Sequence, residues 1–559
     1  MTEAIEGFTE DDEEYRGRKI GKGFTSKYLS LLLKLKDRPM RVRVPSGVQT
    51  ASTEEITPIP KISDPEVDEV EINPIVEPYS YVRINYDNAA GDFLYEVIEP
   101  PLTEDEQTLL EVLKSALVMT LNLAVEKNDQ EKMNILEQAM DKLLKSFGVG
   151  LHPVSRERLL YYLRRDFIGY GVIDVMMIDP EVEDASCDGV SIPMFIFHRK
   201  YGSIRSNVRF DNEEELDSFV IWMAQKSGKH ISVADPMLDA TTPDGSRLNT
   251  TMGRHVTKRG STFTIRRFKE NPFTPVDLLK FRTMSTDMMA YLWTATEYGS
   301  SMLVCGGTAS GKTTTLNAVL LFIPPQMKIV SIEDTRELNL PHENWVPALT
   351  REGFGGKTTG TGSGTITMFD LLTASLRQRP QYLMVGEVRG AEAYVVFQAM
   401  ATGKTAYSTF HAEDVQSMVH RMENDPINLP RALMTALDIV LLQAQVKVGT
   451  KMTRRVKSLT EVVGMDPETG ELITNSAYSW NPADDSFSFS GHSYVYEKVR
   501  TIRNWSPREM EREIKQRVDI LEYMKKIGVD NYRQVAKIVS AYYKDPDSVI
   551  KEVREKLQD

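Results

Sequence analysis

Short runs of consecutive apolar residues, each ending on a small or charged residue, punctuate the middle of the chain. Residues 302–305 are Met-Leu-Val-Cys; small residues follow to Gly311, then a helix-spaced stretch at 312–322 with Leu316, Val319 and Leu320 on one side. Residues 328–332 run into Glu333 and Asp334, residues 382–386 into Glu387, and residues 405–410 into His411. Runs this short and this apolar suit strands buried on both faces. Helical spacing separates them at 368–377 and 391–401. Alternating strands and helices predict an α/β fold over residues 276–500, a parallel sheet covered on both sides. Ligands of such sheets bind beyond the carboxyl ends of the strands. The four run ends are therefore expected on one rim.

The pattern before residue 276 is weaker. Residues 81–86 and 93–98 alternate like paired strands, and Thr103 with Glu106 gives a capping signature ahead of helical spacing at 109–124, 133–147 and 156–165. Residues 166–275 read as a small α/β unit, with a hairpin around 200–202 and a helix at 213–226. A Pro243-Asp244-Gly245 turn presents Arg247, and a strand at 262–268 carries Arg266 and Arg267 at its end. Residues 271–275 are the expected hinge. At the other end, Ser506 and Pro507 start a helix with Ile514, Val518, Leu521 and Met524 on one side, and 532–543 forms a second. Four segments are expected: a flexible arm and linker (1–78), an N-terminal domain, helical and then small α/β (79–275), the catalytic domain (276–500) and a helical tail (501–559). In the arm, acidic residues 10–14 precede basic clusters at 16–22 and 34–43; a solvated helix, or a segment meeting anionic lipid or an acidic partner, would fit. Residues 353–364, rich in Gly, Thr and Ser, read as a surface loop.

Composition narrows the function. The net charge of −13 argues against gripping nucleic acid, so no nucleic-acid partner is expected. Cys187 and Cys305 belong to no C-x-x-C pair, so no zinc site or disulfide framework is indicated. No apolar run approaches the ~18 residues of a membrane span, and the first residues lack a signal-peptide pattern. A soluble protein is expected, reaching a membrane only through a partner.

The chemistry lies at the run ends. Gly306, Gly307, Thr308, Ala309, Ser310, Gly311, Lys312, Thr313 and Thr314 fit the phosphate-binding loop, Gly-x4-Gly-Lys-Thr. Glycines let backbone N–H groups curl around phosphate oxygens, and the helix start adds positive potential. Lys312 is expected on the phosphates of ATP, and Thr313 on Mg²⁺. Glu387 suits metal binding or water placement, and Glu333 is the other candidate base. His411 could sense the γ-phosphate, join a subunit contact, or be an ordinary core histidine. Arg247, Arg266 or Arg267 could spread transition-state charge from a neighbouring domain or subunit, or form surface ion pairs.

Four stretches together resemble a known family: Gly-Gly-Thr-Ala-Ser-Gly-Lys-Thr-Thr-Thr (306–315), Ile-Glu-Asp-Thr-Arg-Glu-Leu (332–338), Leu-Arg-Gln-Arg-Pro-Gln-Tyr-Leu-Met-Val-Gly-Glu-Val-Arg-Gly (376–390) and Ser-Thr-Phe-His-Ala-Glu (408–413). They look like the Walker A, Asp-box, Walker B and His-box motifs of the type II/IV secretion ATPase superfamily. Residues 243–248 and 263–268 match its N-terminal arginine motifs. The resemblance covers roughly 80–500 and is strongest to the archaeal branch, which includes archaellum ATPases. It implies a RecA-like P-loop domain and a homohexameric ring hydrolysing Mg-ATP between subunits. Such rings drive assembly of pilin-like filaments through a polytopic membrane platform protein, from the cytoplasmic face. This chain lacks the four-cysteine insert of many bacterial members. It also carries Lys404 where the His box usually opens on histidine. Two rivals are a nucleic-acid-stimulated motor on the same core and a nucleotide-gated scaffold with negligible turnover.

Overall fold

The computed structural model describes residues 55–120, 128–269, 271–351, 365–449 and 451–558. The charged clusters of the N-terminal arm, the end of the helix expected at 109–124, and the glycine-rich stretch 353–364 lie outside the described residues. Two units are built: residues 55–240 with 248–267, and residues 241–247 with 268–558.

In the first unit, β1 (Val67–Val76), β2 (Ser80–Asp87) and β3 (Asp92–Ile98) form an antiparallel meander. β1 corrects the expectation of a linker through residue 78, since it pairs with β2 from Val67↔Asp87 to Val76↔Ser80. It is an edge strand with no buried residue and with Pro74 inside it. Ladder bonds rather than a buried face hold such a strand, so its sequence alternates poorly. Helices α1 (Glu104–Thr120), α2 (Asp129–Phe147) and α3 (Pro153–Phe167) pack their own core around Leu113, Leu117, Leu136, Met140 and Leu159. After the short α4 (Asp174–Ile178) come β4 (Val182–Cys187), β5 (Phe195–His198), β6 (Gly202–Ser206), α5 (Glu213–Lys226), β7 (Met237–Thr241), β8 (Arg247–Thr251) and β9 (Thr262–Arg266). The sheet order is β1-β2-β3-β6-β5-β4-β9-β8-β7. Ala185, Ile196, Phe263 and Ile265 share a buried core with Leu216, Val220 and Met223 of α5.

The second unit opens with α6 (Pro275–Lys280) and α7 (Thr286–Glu297), then β10 (Met302–Gly306), α8 (Lys312–Leu320), β11 (Ile329–Glu333) and β12 (Trp345–Leu349). It continues with α9 (Met368–Arg377), β13 (Tyr382–Glu387), α10 (Glu392–Ala401), β14 (Thr405–Phe410), α11 (Val415–Glu423) and α12 (Arg431–Met434). Strands β15 (Ile439–Val448), β16 (Lys451–Met465), β17 (Leu472–Asn481) and β18 (Ser486–Phe489) complete its sheet, in the order β12-β11-β13-β14-β10-β15-β16-β17-β18. The first six of these are parallel and the last three antiparallel additions. One strand, β14, stands between the phosphate-loop strand and β13, a RecA-like arrangement. Along β10 the side chains alternate between two cores: Met302 and Val304 enter one, Leu303 and Cys305 the other. Burial on both faces is why these strands read as unbroken apolar runs.

The pair of tail helices expected after residue 500 is instead three: α14 (Pro507–Lys526), α15 (Tyr532–Lys544) and α16 (Pro546–Gln558), preceded by α13 (Tyr494–Arg503) across that boundary. Ser506 and Glu509 form the expected capping box at the start of α14. Met510, Leu521, Met524, Val535 and Val539 share a core with Met288, Leu292 and Trp293 of α7, so the tail is a layer of the second unit. Cys187 and Cys305 are both buried and free.

Candidate active site

β10 ends at Gly306, where a Cβ would lie 2.1 Å from the Gln443 carbonyl oxygen, so no side chain fits. Gly311 takes a φ of +91° as N-cap of α8, a left-handed conformation that favours glycine. Between them Ala309 is also left-handed, and Ser310 Oγ donates to Gly307 O at 2.9 Å. The loop therefore turns back over the start of α8, where unpaired N–H groups and the helix dipole favour an anion. Lys312 is buried, and its Nζ donates to Gly306 O at 3.0 Å and Gly307 O at 2.9 Å. Burial lowers its pKa, while the Glu387 charge opposes that shift. Thr313 and Thr314 are half-buried in the first turn of α8.

Glu333 ends β11 and is buried. One oxygen accepts the N–H groups of Glu337 and Leu338, each at 3.0 Å, and the other has no partner. Its carbon stem lies against Gly386, where a Cβ would stand 3.2 Å from Glu333 Cγ. Burial pushes the Glu333 carboxyl up to about 7, although both N–H groups favour the ionised form. Glu387 ends β13, with one oxygen hydrogen-bonded and the other without a hydrogen-bond partner. Arg389 donates from Nε to Oε2 at 2.9 Å and from Nη2 to the same oxygen, and His411 Nε2 stands 2.9 Å from Oε1. The histidine contact is an ion-pair distance without hydrogen-bond alignment. Burial, then the Lys312 charge, lowers the His411 pKa, which keeps the ring neutral at pH 7. Two clefts, of about 490 and 290 Å³, share Glu387 and Arg389 in their walls.

Glu333 gives a stability prediction. Its folded pKa lies above the ordinary 4.5, so as pH rises from 4.5 to about 7 the unfolded chain ionises while the folded one keeps its proton. Folding stability therefore falls across that window, by about 3 kcal/mol for this group. The expected result is that Glu333→Gln flattens melting temperature against pH between those limits. Parallel profiles for wild type and variant would refute this.

Of the three expected arginines, the structure engages two in the first unit. Arg266 donates from Nε to Asp184 Oδ1 at 3.1 Å, and Arg267 donates to the carbonyls of Asp179 and Val182. Arg247 groups with the second unit, where its charge acts on Arg389 beside Glu387. One rim thus gathers the phosphate loop, Lys312, Glu333, Glu387 and His411.

Glu337 went unread as a site residue. It is exposed, and its charge acts on Lys312. Glu333 fixes its backbone, and Asn317 of α8 fixes the next turn by accepting Asn339 N–H at 3.0 Å. A second glutamate four residues after Glu333 was the available signal.

The sequence profile of the Type II/IV secretion system protein family matches residues 175–553. An uncharacterized protein of Methanocaldococcus jannaschii is 37% identical over 475 residues, covering 80% of this chain and 85% of that one. VirB11 of Rhizobium radiobacter is 31% identical over 208 residues, covering 35% and 58%. The crystal structure of the pilus retraction motor PilT with bound ADP aligns with a TM-score of 0.37 at 18% identity, over 52% of this chain and 82% of that chain.

Proposed function

Because the chain belongs to the type II/IV secretion system protein family, whose members include motor ATPases of secretion and pilus systems, we propose that it is a Mg²⁺-dependent ATPase working as a homohexamer. Its work is to drive assembly of a pilus-like filament, archaellum or type IV pilus, or type II-like secretion, through a polytopic membrane platform protein. The observation that carries the nucleotide reading is the rim: Lys312 inside the phosphate loop, electrostatically coupled to Glu387 and His411 from two neighbouring strands.

Loop N–H groups and Lys312 bind the β- and γ-phosphates. The Thr313 hydroxyl and the Glu387 carboxylate are hard oxygen donors, a set that fits Mg²⁺. That ion supplies charge neutralisation on the phosphates when bound. Glu387 also orients the attacking water, with Arg389 holding one of its two oxygens in place. Glu333 acts one step back, fixing the turn that carries Glu337. Arg247 spreads transition-state charge, and Arg266 and Arg267 remain candidates for a neighbouring subunit's site. Among the described residues no helix is long and apolar enough to cross a membrane. Attachment to the cytoplasmic face through a partner fits that.

The test has two parts. Mass photometry of the purified chain with Mg-ATP should show six chains, and affinity capture from native membranes should recover a polytopic protein. A monomer at all nucleotide concentrations, or turnover that rises only when DNA is added, would overturn the proposal.

A further inference from the structure

β15 does not stop where β10 does. Gly306 pairs with Gln443, and β15 runs on to Val448 before β16 returns antiparallel from Lys451. The hairpin reaches past the phosphate loop and touches it from the side opposite β14. Residues 439–460 hold five Lys or Arg and no carboxylate. Adjacent arginines on β16 are used differently. Arg455 is buried and forks onto Asp485, at 2.7 and 2.9 Å. Arg454 is exposed, and its Nε donates to Ala309 O at 3.0 Å, at the apex of the loop. Among the described residues, no carboxylate pairs with Arg454 and neither Nη has a protein acceptor.

The same corner holds a second unsatisfied group. Gln443 is 3% exposed, yet its Oε1 has no partner. Its Nε2 lies 3.0 Å, and Arg454 Cδ 3.2 Å, from where a Cβ on Gly311 would stand. Both side chains thus crowd the glycine that precedes Lys312. An arginine tied to a loop by Nε keeps its two Nη groups as a fork, which matches phosphate oxygens. A nucleoside polyphosphate carries several negative charges, more than Lys312 alone can offset.

We propose that Arg454 is a further nucleotide-binding residue, a second cation that the β15–β16 hairpin presents to the polyphosphate of a nucleoside di- or triphosphate. The Nε contact sets the loop apex and the Nη pair meets the ligand. This rests on the nucleotide reading of the phosphate loop.

The probe is fluorescently labelled ADP, titrated into wild type, Arg454→Gln, Arg454→Lys and Lys312→Ala at about 50 mM and about 500 mM salt, where screening differs severalfold. Arg454→Gln is expected to weaken binding about tenfold at low salt, with the gap closing to under about threefold at high salt. Arg454→Lys should recover only part of the loss, since lysine restores the charge but neither the Nε tie to Ala309 nor the Nη fork. Arg454 is exposed, so all Arg454 variants should melt with wild type. A Gln variant within about twofold of wild type at low salt, or a gap equal at both salts, overturns the inference and leaves Arg454 a loop strut. Wild type that fails to bind the probe, or Lys312→Ala that binds as wild type does, removes the nucleotide reading itself.

Discussion

Lys312→Ala is expected to cut ATP turnover at least about a hundredfold, the scale seen when one preorganised charge is removed from a reacting centre. The structure explains why this lysine has no substitute within its loop. Its ammonium already sits at the centre of the turn, on the carbonyls of Gly306 and Gly307. Those contacts keep a buried cation satisfied until phosphate oxygens replace them. The Glu387 charge supports the protonated form against the cost of burial. Alanine would leave two loop carbonyls without this donor and the phosphates without their nearest cation. Lys312→Arg should fail almost as completely, because a rigid planar guanidinium does not fit a slot made for a compact ammonium. Phosphate release at saturating Mg-ATP is the measurement, with thermal melting to show that the variants are folded. Turnover within about tenfold of wild type would take the loop out of the mechanism.

What the sequence could reveal depended on how each strand is buried. β10, β11, β13 and β14 lie inside the sheet with helices on both faces, so each reads as an apolar run whose end marks the rim. The residue types at those ends suggested a phosphate site, and their placement at strand ends of one parallel sheet followed from topology. β1 and β12 are edge strands, each with a proline and no buried residue, and they carry no such mark. The antiparallel additions β16 to β18 were equally unread, because half-exposed strands rich in Thr, Ser, Lys and Arg resemble loops in composition. Contacts made across long separations leave no local trace at all. Arg454 meets Ala309 from 145 residues away, and nothing in either neighbourhood announces it. The choice between Glu333 and Glu387 was open for a similar reason. Both end apolar runs, and only the partners of their oxygens distinguish them.

Those partners lead to the second large effect. Glu387→Gln should lower hydrolysis by about 10²–10³-fold, within the range attributed to general acid–base catalysis. Nucleotide affinity should stay within about threefold, because the phosphate loop is untouched. Glutamine keeps the shape and can still accept from Arg389, but it cannot take a proton or present a full negative charge to Mg²⁺ or water. Glu333→Gln should behave differently. Its amide oxygen can still accept the N–H groups of Glu337 and Leu338, so the turn they form survives. Burial has already raised the Glu333 carboxyl to about 7, so its charge is only partly present near neutral pH and losing it costs less. Turnover of that variant is expected within about tenfold of wild type. Single-turnover hydrolysis of labelled ATP, paired with an affinity titration of each variant, separates chemistry from binding. If Glu333→Gln is the silent enzyme and Glu387→Gln the active one, the water is placed from β11, and the ion pair between Glu387 and Arg389 belongs to the fold rather than to catalysis.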